Sequence, residues 1–202
     1  MFLSVRRSCL LVALLLASGA AAPVLAAPIL HVSGGILIGA SGVSVGGILY
    51  DVSFTDSSCA TAYDGCDALS DLTFTTQAAA YAASQALFDQ VLVDGPDGLF
   101  DSRPLLTFGC GTATTTCLVW TPFELVPELR FAVAYNYFGS STDAIGDGFT
   151  ASTTSFSNSM FVLADWTRAT ATPTPTPEPA SMLLLGTGLL SAGVRRWRQK
   201  RA

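Results

Sequence analysis

The chain has 202 residues, half of them hydrophobic by type, with ten Lys+Arg against fifteen Asp+Glu and a net charge of −5. Seven of the ten basic residues stand at the two ends, so the stretch between carries only Arg103, Arg130 and Arg168 against fourteen acids, about −11. A body so acidic repels nucleic acid and anionic polymers, which argues against a nucleic-acid partner, and solubility alone accounts for the charge.

The N-terminus places Arg6 and Arg7 before an apolar run over residues 9–16 and a stretch of small residues. Val24-Leu25-Ala26 fits the small-x-small cleavage rule, so residues 1–26 read as a signal peptide and the mature chain is expected to start at Ala27. The Arg6-Arg7 pair alone is thin ground for twin-arginine export, and Cys9 lies too early for a lipoprotein cysteine.

Residues 27–170 are expected to form one extracytoplasmic domain, long enough for a real core. Short aliphatic runs at 29–32, 36–38, 43–45 and 48–54 are separated by Gly34-Gly35, Ser41-Gly42 and Gly46-Gly47, which read as turns of an antiparallel meander. Alternation is cleanest where Ile48, Tyr50, Val52 and Phe54 face one way and Asp51, Ser53 and Thr55 the other. A short strand is expected at 72–74. Thr75 or Thr76 then caps a helix over 77–92, alanine-rich, with Ala80, Tyr81, Ser84, Leu87, Phe88 and Val91 as its apolar stripe. Asp94-Gly95-Pro96 ends it.

Strands are expected again at 105–108, 117–121, 129–137 and 160–166, with a polar Gly/Ser/Thr loop over 139–158. The run from Leu129 to Tyr137 is the strongest, with Leu129, Phe131, Val133, Tyr135 and Tyr137 alternating with smaller residues. Strands, one good helix, then strands point to an α+β fold: a single antiparallel β-sheet with one main helix packed on it. An all-β sandwich with a helical insertion is the alternative.

The mature chain holds four cysteines in two pairs with equal spacing, Cys59/Cys66 and Cys110/Cys117. Export makes disulfides the default, and of three connectivities the equal spacing favours Cys59–Cys66 and Cys110–Cys117. Zinc fits worse, because the spacing is wider than usual for zinc ligands and His31, the sole histidine, is distant. With one histidine, no lysine before Lys200 and no spare thiol, most nucleophilic catalysis lacks its base, and we expect no enzyme. Carboxylate-pair hydrolysis of glycans survives that exclusion, but nothing singles out a pair. No cofactor is required. Asp94, Asp97 and Asp101 are the best metal candidates, oxygen ligands on a glycine-kinked loop that would suit Ca²⁺, although ordinary turn chemistry explains them better; Asp64/Asp67/Asp71 and Asp143/Asp147 are weaker candidates of the same kind. Trp120, Tyr135 and Tyr137, if exposed, would stack on sugars; core packing explains them equally well.

The C-terminus is the most informative stretch. Residues 171–179 alternate Thr and Pro, a semi-rigid extended spacer, and close on Pro177, Glu178 and Pro179. Residues 180–194 carry no charge, and Arg195, Arg196, Arg198, Lys200 and Arg201 follow in a basic tail over 195–202. Fifteen residues reach about 22 Å as a helix, short of the ~30 Å hydrocarbon core, and flanking arginines can snorkel to close the gap. A transmembrane helix with the basic end in the cytoplasm is the expected topology.

This order of Pro-Glu-Pro triplet, apolar helix and basic end resembles the PEP-CTERM sorting signal of exported bacterial proteins. Many members carry valine before the triplet where this chain has Thr176. The resemblance implies an exosortase as partner and inner-membrane anchoring through residues 180–194 before processing. It further implies delivery of the body to the cell surface or extracellular matrix, in the setting of exopolysaccharide. It extends over about thirty residues and leaves the body unrecognised. The reading is therefore a non-enzymatic surface or matrix module, against two alternatives: a secreted carboxylate-dependent glycan hydrolase and a calcium-stabilised adhesin.

Overall fold

The chain between Ala27 and Thr172 builds around one sheet. The computed structural model describes residues 26–111, 115–125, 128–139, 143–150 and 161–170. Apart from Ala26, the expected signal peptide lies outside the described residues. So do the Thr/Pro spacer with Pro177, Glu178 and Pro179, the expected helix at 180–194, and Arg195, Arg196, Arg198, Lys200 and Arg201. Among the described residues no helix is long and apolar enough to cross a membrane.

Three strands open the fold as the expected antiparallel meander: β1 (Ile29–Ser33), β2 (Ile36–Val45) and β3 (Ile48–Thr55). Gly34-Gly35 and Gly46-Gly47 make both turns, each glycine at positive φ. Ser41-Gly42 is not a turn. It lies inside β2, where the β2–β3 register shifts between Ala40 and Val43, and the Gly42 N–H donates to Asp51 Oδ1 at 3.0 Å. A bulge absorbs the extra residues and keeps Leu37, Ala40, Val43 and Val45 buried on one face.

After β3 comes the short helix α1 (Cys59–Ala62), capped by Ser58, and then the main helix α2 (Gln77–Gln90). Thr76 is the N-cap, its hydroxyl accepting from the Ala79 N–H. The buried face is mostly small, Ala80, Ala83, Ser84, Ala86 and Leu87, which lets α2 lie close against β2 and the later strands. At the other end Gln90 grips β2 twice, accepting from the Ser44 N–H and donating to the Ser44 carbonyl, both at 2.9 Å.

A two-residue ladder, β4 (Asp94–Gly95) with β5 (Gly98–Leu99), follows the helix. The remaining strands are β6 (Thr116–Glu124), β7 (Leu129–Tyr137), β8 (Ala144–Thr150) and β9 (Phe161–Arg168). The main sheet has seven strands in the order β1-β2-β3-β9-β6-β7-β8. The fold is thus α+β with one main helix on one main sheet, but that sheet is mixed. β9 enters between β3 and β6, antiparallel to the first and parallel to the second over Leu118–Trp120. Pro122 is tolerated inside β6 because the pairing with β9 has ended by Trp120.

Both faces of the sheet are buried at its centre. Under α2 lie Val119, Ala132, Ala134, Val162 and Ala164, with Trp166 edge-on to Phe74 and Tyr50. Trp166 Nε1 donates to Thr121 Oγ1 at 3.1 Å in a fully buried setting. The opposite face packs Leu118, Phe131, Val133 and Leu163 against Cys59, Tyr63, Cys66 and Leu72.

Three further expectations change. Residues 72–74 form no ladder; Leu72 and Phe74 are buried in different clusters, while the Thr73 hydroxyl bonds the Trp166 carbonyl. Residues 105–108 are not a strand. Pro104, without an N–H, starts a 3-10 turn over Pro104–Leu106, and only Thr107 forms a bridge, to Leu37. The polar loop contains a strand, β8, at the edge of the sheet.

Candidate functional site

The face of the sheet opposite α2 gathers the aromatic side chains of its second half. β7 places Phe131, Tyr135 and Tyr137 on that face, β6 adds Trp120 and β9 adds Phe161. Trp120 packs on Phe131 and Phe161 with ring centroids 4.5 and 5.0 Å apart. Tyr135 and Tyr137, two residues apart on one strand, lie nearly parallel, 13° between planes with centroids 6.3 Å apart. Trp120, Tyr135 and Tyr137 are half-buried, neither sealed in the core nor standing free.

β8 makes this surface possible. A Cβ on Gly146 would stand 2.9 Å from the Tyr135 ring, and one on Gly148 2.8 Å from Val133 Cγ2 and 3.4 Å from the Trp120 ring. The rings lie over bare backbone, so the glycines lower the edge strand beneath them. Their pattern, Gly146-Asp147-Gly148, reads as a loop in sequence, and the aromatic partners that require it are ten or more residues away.

A second concave region lies at one end of α2. Gln85, Phe88 and Leu92 meet Asp94, Asp101 and Asp143 around a cavity of about 330 Å³. Two of these acids, Asp94 and Asp143, serve the backbone. Asp94 Oδ1 accepts from the N–H groups of Asp101 and Ser102, both at 3.0 Å, closing the 94–102 loop. Partial burial opposes its ionisation, but Ser102 and Asp101 together outweigh it and hold the carboxyl below its ordinary value. Asp143 Oδ1 accepts from the Tyr137 N–H at 2.9 Å, and burial, reinforced by the neighbouring Asp101 carboxyl, raises its pKa. Asp97 sits exposed at the turn between β4 and β5. The structure brings Asp94 and Asp101 together and leaves Asp97 outside their cavity. Among the described residues no group of three or more His, Cys, Asp or Glu is arranged to hold a metal ion.

Disulfides join Cys59 to Cys66 and Cys110 to Cys117, with Cα atoms 5.6 and 5.4 Å apart. The first clamps α1 and its turn, in which Asp64 and Cys66 take positive φ. It also seats Tyr63, whose hydroxyl donates to the Ala164 carbonyl. Burial, with the Asp165 carboxylate adding to it, pushes the Tyr63 phenol far above its ordinary value, so it stays a neutral donor. His31 is exposed on β1, with Nε2 3.0 Å from Ser41 Oγ, and among the described residues no carboxylate pairs with it.

Set against known families, residues 175–199 match the model of the PEP-CTERM protein-sorting motif. The chain carries a PEP-CTERM sorting signal. The match includes Pro177, Glu178 and Pro179, the apolar stretch and the basic residues as far as Arg198. A PEP-CTERM signal marks an exported protein that is anchored transiently at the membrane and handled by an exosortase. No curated protein matches the chain, and no solved structure matches its fold. The PEP-CTERM signal therefore accounts for delivery, and the body is judged on its own geometry.

Proposed function

We propose that the body, once delivered, serves as a non-enzymatic module of the cell surface or extracellular matrix that holds neutral polysaccharide on the aromatic face of its sheet. The observation that supports this reading is the near-parallel pair Tyr135 and Tyr137 beside Trp120, over an edge strand reduced to glycine at Gly146 and Gly148. Aromatic rings present flat apolar faces with polar tips, the combination that suits the C–H faces and hydroxyls of a sugar ring. The strongly acidic body favours neutral over anionic glycans.

Sedimentation of the surface-isolated protein with insoluble neutral polysaccharide tests the proposal. Tyr135→Ala with Tyr137→Ala should lower retention about tenfold, the weight of two aromatic contacts. Unchanged retention removes the aromatic face from the explanation. Release of reducing ends from the same polysaccharides would instead favour a hydrolase.

A further inference from the structure

The sheet ends on β1 at one side and on β8 at the other, and the two edges differ. β8 is guarded by charge: Asp147 lies within it and Asp143 stands just ahead of it. β1 is bare. Among the described residues it pairs with β2 alone, and no other backbone bond reaches residues 29–33. It holds no charged residue and no proline, the usual guards of an edge strand. The irregularity in its pairing falls on β2, where Ile38 is skipped, and leaves β1 itself continuous.

Two further observations say what fits beside it. From Ala27 to Tyr50 the chain carries no Asp, Glu, Lys or Arg, and all fourteen acids of the body come later. Two copies of so acidic a domain repel one another over most of their surface, and the β1–β2 end is where that repulsion is weakest. Ile29, Val32 and Ile38 are exposed at this end, Ile29 by 70 %. The strand is also self-complementary about its middle residue, His31. Leu30 packs on the core beneath α2, and Val32, two positions on, follows the same face. His31 lies between them on the other face.

We propose that β1 docks antiparallel on β1 of a second copy of this chain, about a twofold axis at His31. Only that register pairs all five residues of both strands. It sets Leu30 opposite Val32 of the second copy, twice over, and so carries the apolar layer beneath α2 from one sheet into the next. His31 faces its own counterpart on the axis, as an isologous contact requires. Ladder hydrogen bonds then satisfy both bare edges. Five residues a side bury little area, so the pair is weak in dilute solution and is favoured where one sorting signal gathers many copies on one surface. The edge lies across the sheet from the aromatic strands, so the inference does not depend on the polysaccharide reading.

Single added cysteines, oxidised at mildly alkaline pH in the surface-isolated protein, test it. The four cysteines of the domain are paired with one another, so an added one supplies the free thiol. Directly opposite residues stand about 4.5–5.5 Å apart between Cα atoms, within disulfide reach, so His31→Cys should cross-link to a product of twice the mass. Ser33→Cys should not, because its counterpart stands four residues along the ladder, roughly 13 Å away. Sedimentation should show the unaltered chain passing from monomer to dimer as concentration rises towards about 1 mM. Val32→Lys enters the interface twice and should raise the dissociation constant about tenfold while the melting temperature holds. Phe149→Lys, 68 % exposed on β8, should leave the association unchanged. A chain that stays monomeric throughout, cross-linking of Ser33→Cys as strong as that of His31→Cys, or equal weakening by Phe149→Lys would each overturn the assignment.

Discussion

Gly39→Ala offers the sharpest test of the packing between β2 and β3. Gly39 pairs with Ser53, at φ +154°, and a Cβ there would stand 2.2 Å from the Val52 carbonyl oxygen and 3.0 Å from Ser53 Cα. Both obstacles are backbone, so no side chain can swing away. The shorter contact falls about 1.2 Å inside ordinary van der Waals distance, and β2 must part from β3 to relieve it. Overpacking of this kind costs about 1–3 kcal/mol, and weakening one or two ladder hydrogen bonds adds about 1 kcal/mol each. A loss of about 3 kcal/mol corresponds to a melting temperature lower by roughly 10 °C for a domain of this size. Gly34→Ala is the control: it has positive φ but nothing within 4 Å of the added carbon, so only the left-handed backbone penalty of about 1–2 kcal/mol applies. Urea unfolding of both variants, followed by fluorescence of buried Trp166, gives the comparison. If Gly39→Ala costs no more than Gly34→Ala, the close approach of the two strands is not what holds this position to glycine.

Three other outcomes are expected. Thr121→Val removes the acceptor of the buried Trp166 N–H and should cost about 1–3 kcal/mol, seen as an earlier midpoint in the same unfolding assay. Burial raises the pKa of Asp165, so its proton is held more tightly in the folded chain than in the unfolded one. Its unfavourable contribution is absent below the ordinary carboxylate range and grows as pH rises through the raised folded value. Asp165→Asn should therefore stabilise at pH 7 more than at pH 4, and an equal effect at both would discard that account. Alanine at Pro177, Glu178 and Pro179 together should leave the chain uncut in the inner membrane, which fractionation and the intact mass of the product will report.

Local chemistry was legible in the sequence, and long-range pairing was not. Thr76 and the alanine run mark α2 because a cap and high propensity act within a few residues. β7 declares itself because Phe131, Val133 and Tyr135 alternate with Ala132 and Ala134, and both sets are buried or nearly so. The cysteine pairs are local in the same sense. β8 escapes because Gly146 and Gly148 answer to Tyr135, Val133 and Trp120 on other strands. Residues 105–108 look like a strand until Pro104 withholds its N–H. Nothing near β9 announces that it pairs with β3 on one side and runs parallel to β6 on the other. At the candidate sites the aromatic residues were visible, but their common face was not. The acids Asp94 and Asp101 were visible too, but not the backbone groups that occupy the first of them.

The place of β9 bears on the timing of export. A polypeptide crossing a membrane from its N-terminus delivers β1 to β3 and β6 to β8 first, as two separate halves with a gap between them. The gap is filled only when residues as late as Arg168 have emerged, a few positions ahead of the Thr/Pro stretch. Completion of the domain thus coincides with arrival of its address label, and a chain stalled short of Phe161 would reach the outside with two bare edges on β3 and β6.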